Sequence, residues 1–308
     1  MVVIQARGAS RWYGEVVGLN DLSVDIGPGI TGLLGPNGAG KSTFMKVIVG
    51  ELRPSSGEIL VLGERPFANL RLYRRLGFCP QQDALYESMT GRGFVRHCLR
   101  LGGYGRRDAD RLARRALERV HLEEAMDRRV RGYSKGMRQR TRLAQSIAHS
   151  PELLIVDEPL TGLDPIARHQ TLELFQELGQ AGTSILASSH ILHEIQSLTE
   201  QIVVIHRGRL LAQGSVGEVR SLLSRHPRKV SLVVRDARPL ASALVGLPHV
   251  EGVSISELEL GSLITVDTTD MDNLFSELPR IASDVQAGIR ALDSADASLE
   301  AVFDYLVG

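Results

Sequence analysis

Short apolar runs and amphipathic periods alternate along the first two thirds of the chain. No charged residue interrupts the runs at 30–34, 153–156, 184–187 and 202–205. Strands without a polar face are typical of a parallel sheet that helices cover on both sides, because both faces are then buried. Further apolar stretches at 2–6 and 22–26 predict that the chain begins with strands.

Two segments in this part predict helices. Residues 42–49 have a helical pattern that Gly50 ends, and they follow a glycine-rich turn. From 108 to 120, apolar residues recur at helical spacing among many arginines, which predicts an amphipathic helix with a solvated charged face. We place this second helix in a helical subdomain that is inserted at about 82–150.

The last third of the chain predicts a separate small domain. Its predicted strands are 229–234, 250–255, 263–267 and 288–292, and its predicted helices are 239–245, 271–281 and 297–306. The order of strand, helix, two strands, helix and strand is typical of a ferredoxin-like α+β domain. A break in the pattern at 214–227 precedes it. We therefore expect domains at 1–218 and 228–308.

Composition and charge exclude several classes of protein. The chain has 308 residues with 43% hydrophobic and 23% charged residues, as an ordinary globular protein has. The 36 basic residues balance 36 acidic residues, so no net field favours nucleic acid or anionic lipid. Cys79 and Cys98 have no metal or redox spacing. No stretch has the pattern of a signal peptide or a transmembrane helix.

A glycine-rich segment, GPNGAGKST, lies between the run at 30–34 and the first predicted helix. Glycines here let the backbone curl so that N–H groups point at phosphate oxygens, and the following helix adds its positive end. The spacing predicts a nucleotide-binding P-loop. An ordinary glycine turn is the alternative, which the flanking strand and helix disfavour. The predicted nucleotide-binding residues are Gly35, Pro36, Asn37, Gly38, Ala39, Gly40, Lys41, Ser42 and Thr43.

Roles within this loop follow from the side chains. Lys41 is expected to reach the β and γ phosphates, and the Ser42 hydroxyl to bind Mg²⁺. Two acids end the apolar run at 153–156, where the carboxyl end of a parallel strand meets a ligand. We expect Asp157 to hold Mg²⁺ and Glu158 to polarise the attacking water as general base. Without the P-loop, two solvated acids at a strand end would explain them.

A histidine follows the apolar run at 184–187. His190 at this edge of the sheet could hydrogen-bond the γ-phosphate and sense its loss, and we count it as a candidate catalytic residue. Taken alone, it is better explained as a core or cap histidine. His193 lacks a third ligand and a suitably spaced glutamate, so we reject a zinc site.

Together these segments resemble the ATP-binding subunit of an ABC transporter. GPNGAGKST resembles the Walker A segment, LLIVDEP the Walker B segment and YSKGMRQR the signature segment. Gln81 resembles the Q-loop glutamine, which touches Mg²⁺ and the membrane partner, and His190 resembles the switch histidine. Asp164 in LTGLDP resembles the acid of the D-loop. Tyr13 resembles the aromatic residue that stacks on adenine, although adjacent Trp12 could do the same.

The signature segment departs from the LSGGQ that the family shows most often. Ser134 and Gly136 keep the hydroxyl and the bare backbone that the resemblance places on γ-phosphate across a dimer. Lys135 either adds positive charge or faces solvent, and Met137 follows. SKGM is similar to signatures of bacterial exporter ATPases. A basic helix start is the alternative for this segment.

The resemblance implies a fold, a reaction and partners. The fold is an α/β P-loop NTPase (ABC ATPase) with a mixed sheet and a helical subdomain, followed by the ferredoxin-like domain. Two ATP-binding subunits, in a homodimer or a heterodimer, would close on ATP and Mg²⁺, and hydrolysis would reopen them. An integral membrane permease would hold the chain at the cytoplasmic face of the cell membrane. No nucleic-acid partner is expected. The separate C-terminal domain and the SKGM signature favour export over import.

Two other functions are weighed against this one. A soluble ABC ATPase that acts on ribosomes or nucleic acid would resemble tandem modules or modules split by a coiled coil, and this chain has one module and no heptad run. A regulatory ATP-binding module without turnover would not need Asp157, Glu158 and His190.

Overall fold

The computed structural model describes residues 2–82, 85–223, 228–258 and 261–294. The chain divides into two compact units, Met1–Val216 and Gly217–Gly308. The first has two hydrophobic clusters and the second has one. No helix within the described ranges is long and apolar enough to span a membrane.

The described part of the first unit contains nine strands and seven helices. The strands are β1 (Ile4–Tyr13), β2 (Val16–Ile26), β3 (Ile30–Leu34), β4 (Ser56–Val61), β5 (Leu76–Cys79), β6 (Leu153–Val156), β7 (Ser184–Ser189), β8 (Gln201–His206) and β9 (Arg209–Ser215). The helices are α1 (Lys41–Ile48), α2 (Leu70–Tyr73), α3 (Gly91–Leu101), α4 (Arg106–Arg119), α5 (Lys135–Ile147), α6 (Pro165–Gln180) and α7 (Leu192–Gln196), with a 3-10 turn at Val130–Gly132.

These strands form two sheets. The larger has the order β5-β6-β7-β3-β8-β9, and all its neighbours are parallel except β9, which is antiparallel to β8. The smaller, antiparallel sheet has the order β2-β1-β4. The predicted α/β fold with a mixed sheet is confirmed. β3 and β6 have the predicted bounds, whereas β4, β5 and β9 had not been predicted.

The larger sheet is buried on both faces. Leu153 and Ile155 of β6 pack in one cluster with α1, while Leu154 and Val156 pack in the other with α6 and the helical subdomain. Side chains of a strand alternate between faces, so a run without polar residues fits this double burial. The carboxyl ends of β3, β6 and β7 therefore open at one edge, each followed by predicted site residues.

The second unit has a ferredoxin-like order. Its elements are β10 (Arg228–Val234), α9 (Ala237–Val245), β11 (Val250–Leu258), β12 (Gly261–Thr268), α10 (Met271–Asp284) and β13 (Ile289–Ser294). They form an antiparallel sheet of order β11-β12-β10-β13. The predicted fold class is confirmed. The helix predicted at 297–306 lies outside the described residues.

The predicted break at 214–227 is corrected in part. β9 continues to Ser215, and helix α8 (Val216–Leu223) follows it directly. Val216 and Val219 are buried, which gives this helix an apolar side that the sequence reading overlooked. Only 224–227 of the predicted break lies outside the described residues.

Candidate active site

The P-loop connects β3 to α1, and two of its glycines lie where a side chain would not fit. Gly40 precedes α1 with φ +104°, and a Cβ atom there would stand 2.5 Å from the carbonyl oxygen of Gly18. A Cβ atom on Gly35 would stand 2.4 Å from the carbonyl oxygen of Ile205. The loop is therefore packed against its surroundings before any nucleotide binds, which reduces the ordering cost of binding.

The turn between β8 and β9 holds the same loop from outside. The N–H of Gly208 donates to the carbonyl of Ala39 at 2.8 Å, and the carbonyl of Gly208 accepts from Asn20 N–H at 2.9 Å. These bonds connect the loop to the turn between β8 and β9, which lies far from it in sequence, and through that turn to β2. The loop is thus clamped by a distant part of the chain.

Lys41 is the buried cation of the loop. Its side chain Nζ donates to the carbonyl of Gly35 at 2.6 Å and to that of Pro36 at 3.2 Å. Burial lowers the pKa of Lys41, while the charges of Glu158 and Asp157 act in the opposite direction. Burial of a positive charge is costly, and a bound anion offsets this cost. The surroundings of Lys41 therefore fit the binding of phosphate.

Asp157, directly after β6, is bonded to the P-loop. The Ser42 hydroxyl donates to Oδ2 of Asp157 at 2.8 Å, and the Ser188 hydroxyl donates to Oδ1 at 2.6 Å. The hydroxyl of Ser188 also accepts from the N–H of Glu158 at 2.9 Å. The two hydroxyls fix the orientation of the carboxylate. Ser42 and Asp157 thereby bring two hard oxygens together, the ligands that Mg²⁺ prefers.

Glu158 has left-handed backbone with φ +50° and a side chain that is 7% exposed. Its Oε1 lies 3.0 Å from Nδ1 of His190, and its Oε2 accepts from Nε2 of Gln81 at 3.0 Å. The hydroxyl of Thr161 donates to Oε2 at 3.3 Å. Left-handed backbone is costly for a glutamate and is found where the surroundings enforce it, often at functional sites. Three predicted site residues thus meet at one carboxylate.

A second layer orients the loop that carries His190. The buried Ser189 hydroxyl donates to Glu194 at 2.6 Å and accepts from the N–H of Ile191 at 3.0 Å. Glu194 is also 3.5 Å from Nη1 of Arg168. His190 itself is 36% exposed at the side chain, so it can reach a ligand in the opening.

Tyr13, predicted to stack on adenine, lies at the end of β1. A Cβ atom on Gly18 would stand 2.8 Å from Cε2 of Tyr13 and 3.0 Å from the Thr43 hydroxyl. The ring and the end of the P-loop therefore flank one glycine. The guanidinium of Arg11 lies 5.2 Å from the ring centre. Trp12 precedes Tyr13 in the strand, so its side chain lies on the other face. Stacking of Tyr13 on adenine stays a prediction.

The signature segment lies apart from the chain's own P-loop. Ser134 caps α5, where its hydroxyl accepts from the N–H of Met137 at 3.2 Å, and it is exposed. A Cβ atom on Gly162 would meet Cε and Nζ of Lys135 at 2.9 Å, so the lysine lies over the D-loop. Within the described part of the chain, no hydrogen bond joins 134–137 to the P-loop. Gly136 is half-buried.

Asp164 of the predicted D-loop has a visible structural role. Its carboxylate accepts from the N–H of Ala167 at 2.9 Å and caps α6, which begins at Pro165. An aspartate at this position stabilises the helix start by about 1 kcal/mol. The side chain is exposed, so it can also meet a second subunit.

Four contributors to the site were missed in the sequence. Ser188 and Thr161 bond the two acids, and Arg142 of α5 donates from Nη1 to the carbonyl of Gln81 at 3.1 Å. The carbonyl of Cys79 accepts the N–H of Asp157, while burial raises the pKa of the Cys79 thiol to about 12. No local pattern singles out Ser188 in the sequence, because Ser184 and Ser189 lie in the same strand.

The comparisons with known proteins agree with this geometry. Residues 19–161 match the family described as ABC transporter. The chain is similar to the daunorubicin resistance ATP-binding protein DrrA3 of Streptomyces coeruleorubidus, with 35% identity over 99% of this chain and 96% of that protein. It is 34% identical to the Nod factor export ATP-binding protein I of Rhizobium sp. (strain N33), over 100% of this chain and 97% of that protein.

Solved structures give the same result. An ATP-binding subunit of an ABC transporter aligns with a TM-score of 0.65 and 30% identity, covering 71% of this chain and 92% of that one. A dimeric ATP-binding cassette, MJ0796, in a post-hydrolysis state with ADP and Pi aligns with a TM-score of 0.64 and 20% identity, covering 69% and 98%. The second likeness concerns the fold alone.

Proposed function

The chain belongs to the ABC transporter family of ATP-binding proteins, and on that premise we propose how its own residues bind and hydrolyse ATP. It is an ATP-binding and ATP-hydrolysing subunit that powers a transporter and works with a membrane permease and a second ATP-binding subunit. The assignments of single residues below, including the domain bounds 1–218 and 228–308, are proposals.

The meeting of Gln81, His190 and Glu158 carries the proposal. The P-loop N–H groups and Lys41 bind the triphosphate, and Tyr13 stacks on adenine. Ser42, Asp157 and Gln81 offer hard oxygens that fit Mg²⁺. A magnesium ion held by these residues would offset the negative charge of the phosphates.

Glu158 acts as general base on the attacking water. It takes a proton as the water oxygen bonds to the γ-phosphorus, and the bond from that phosphorus to the bridging oxygen breaks, which leaves ADP and phosphate. His190 donates to the γ-phosphate and loses this contact after hydrolysis. Ser134 and Gly136 of each subunit contact the γ-phosphate bound by the other, so that ATP favours the closed pair.

The decisive experiment is Glu158→Gln, which keeps the size of the side chain and removes the base. We expect steady-state phosphate release to fall at least a hundredfold, in the range of a lost general base. An ATP-bound dimer should accumulate in size-exclusion chromatography. Undiminished hydrolysis with no accumulated dimer would refute the assignment of the base.

We also propose a docking site for the permease on the first unit. A groove of about 360 Å³ lies between the α2 region and the end of α3. At its rim Leu70 and Leu101 are 77% and 76% exposed. Arg71, Arg74 and Arg100 make no ion pair within the described ranges. An acidic, amphipathic segment of the permease would complement both features.

Membrane association tests this site. Leu101→Glu should abolish co-purification with the permease and leave ATP hydrolysis intact, because the groove contains no ATP-site residue. Val245→Glu in α9 changes a similarly exposed apolar residue, 62% exposed, and is the control. Retained co-purification of the Leu101 variant would exclude this groove. Through the permease the chain would lie at the cytoplasmic face of the membrane, and the names of the relatives favour export.

A further inference from the structure

Helix α5 presents one polar stripe to the chain's own active site. The stripe consists of Lys135, Arg138, Gln139 and Arg142, at the spacing of one helix face. The start of the same helix is capped by Ser134, which the proposed function assigns to the nucleotide of the partner subunit. One rigid element therefore connects the two sites of a dimer.

Each member of the stripe contacts a loop of the site. Lys135 lies over Gly162, and Gln139 donates from Nε2 to the carbonyl of Pro159, directly after Glu158. Arg138 is paired with Glu87 at 3.0 Å, beyond the Q-loop. These contacts hold α5 against the loop that follows Glu158, against the D-loop and against the segment after Gln81.

Arg142 is the member that is hardest to explain by stability. It is 9% exposed, and Nη1 donates to the carbonyl of Gln81 at 3.1 Å. Its Nε is buried and has no acceptor among the described residues. A buried cation without a carboxylate partner is costly, and an apolar side chain of similar size would pack here at lower cost. An arginine at this position therefore calls for another reason.

Gln81 supplies that reason because it is held at both ends. Arg142 binds its backbone carbonyl, while its side-chain amide donates to Oε2 of Glu158 at 3.0 Å. Gln81 is otherwise exposed. The guanidinium therefore sets where the amide can lie relative to the general base.

We propose that Arg142 is a positioning residue for ATP hydrolysis, which acts by fixing the Gln81 backbone and so places the Gln81 amide against Glu158. The inference rests on the proposed function, since it assigns Glu158 as base. Ser134 and Arg142 are eight positions apart, about 12 Å along the helix axis. Contact of Ser134 with the partner's nucleotide is thereby transmitted to Gln81 by movement of α5 as a body.

The test compares Arg142→Met with Arg142→Lys. Methionine keeps much of the volume and removes the charge and the hydrogen bond. We expect kcat to fall about tenfold to a hundredfold, the effect of a misplaced catalytic group, with the KM for ATP unchanged. ATP-dependent dimerisation should persist. Lysine, which keeps the charge and one donor, should restore part of kcat.

A double-mutant cycle separates positioning from a structural role. If Arg142 acts through Gln81, Arg142→Met should add no further loss on a Gln81→Ala background, whereas a merely structural role would multiply the two losses. The quantity compared is the ratio of kcat with and without Arg142→Met, measured once in the parent protein and once in Gln81→Ala. Arg142→Lys gives the same comparison if the methionine variant fails to fold.

Arg140→Met is the matched control. Arg140 lies on the same helix and also binds backbone carbonyls, those of His121 at 3.1 Å and Val120 at 3.5 Å, away from the Q-loop. Its loss should leave kcat unchanged. The inference would be overturned if folded Arg142→Met kept its kcat, or if the two losses in the double-mutant cycle multiplied. The proposed function would stand in both cases, provided that the parent protein hydrolyses ATP. A parent without ATP hydrolysis would overturn the proposed function itself.

Discussion

The two units differ in where they bury charge. Within its described residues, the first unit buries five charged side chains, Lys41, Arg142, Asp157, Glu158 and Glu194, and these belong to the site or to its support. Among the described residues of the second unit, the buried polar side chains are His249 and Thr268. Both units have sheets packed on helices around apolar clusters.

This difference separates stability from function. Burial of a charge is costly unless it is paired, whereas an apolar core stabilises a fold by burial alone. The stability of the second unit is therefore explained by its apolar core. In the first unit, buried charges lower the stability of the fold, and their presence is explained by the ATP site. The comparison is tested by variants that remove a charge from the ATP site of the first unit or apolar volume from the core of the second.

The largest effect is expected for Lys41→Ala in the first unit. Loss of the buried cation should lower kcat/KM for ATP about a thousandfold or more, because preorganised electrostatic contacts are lost. Stability should change little, since the charge itself is unfavourable when buried. Nucleotide titration and thermal unfolding measure the two quantities. A large loss of stability with retained ATP affinity would contradict the comparison.

The reciprocal variant is Leu232→Ala in β10 of the second unit. Leu232 is fully buried in its cluster, so its truncation should destabilise this unit by about 3 kcal/mol. Hydrogen exchange of the β10 amides reports the local loss. ATP hydrolysis should be unchanged, and a matching loss of hydrolysis would mean that the second unit supports the site.

Two glycines with similar backbone geometry, one in each unit, allow a direct comparison of the units. Gly40 and Gly261 both have positive φ, and a Cβ atom would stand 2.5 Å and 2.6 Å from a backbone oxygen. Alanine should introduce strain of about 1–3 kcal/mol at either position. Gly40→Ala should lower ATP affinity, whereas Gly261→Ala should reduce only the stability of the second unit. Equal effects on ATP affinity would contradict this division.

The smallest effect concerns pH. Burial lowers the pKa of His149, whose Nε2 bonds the carbonyl of Leu76 at 2.8 Å. Because the folded-state pKa is below the unfolded one, stability present above about pH 6.5 is lost as pH falls. His149→Gln should flatten this dependence between about pH 7.5 and about pH 5.5 in urea unfolding. An equal slope in both proteins would exclude His149 as its source.

Local features of the site could be predicted from the sequence. The P-loop depends on glycines at fixed spacing. Asp157 and Glu158 follow a strand whose four apolar residues predict that it is buried. The ferredoxin-like order also followed from hydrophobic periods alone. Each of these signals lies within a few residues of the feature that it predicts.

Contacts made across the sheet could not be predicted. Ser188 meets Asp157 because β6 and β7 are neighbours, and Arg142 meets Gln81 because α5 packs beside β5. Neither serine nor arginine has a local pattern that marks such a contact. The strand β4 was missed for a related reason, since its apolar residues are confined to its last three positions and its first half is defined by pairing with β1.

The clamp on the P-loop has a consequence for biosynthesis. Because Gly208 bonds both Ala39 and Asn20, the loop gains its outer support only after more than 200 residues have been translated. A nascent chain that carries the glycines, Lys41 and α1 still lacks this clamp, and long-range contacts form late. ATP should therefore protect the completed first unit from proteolysis and leave fragments that end before β8 unprotected.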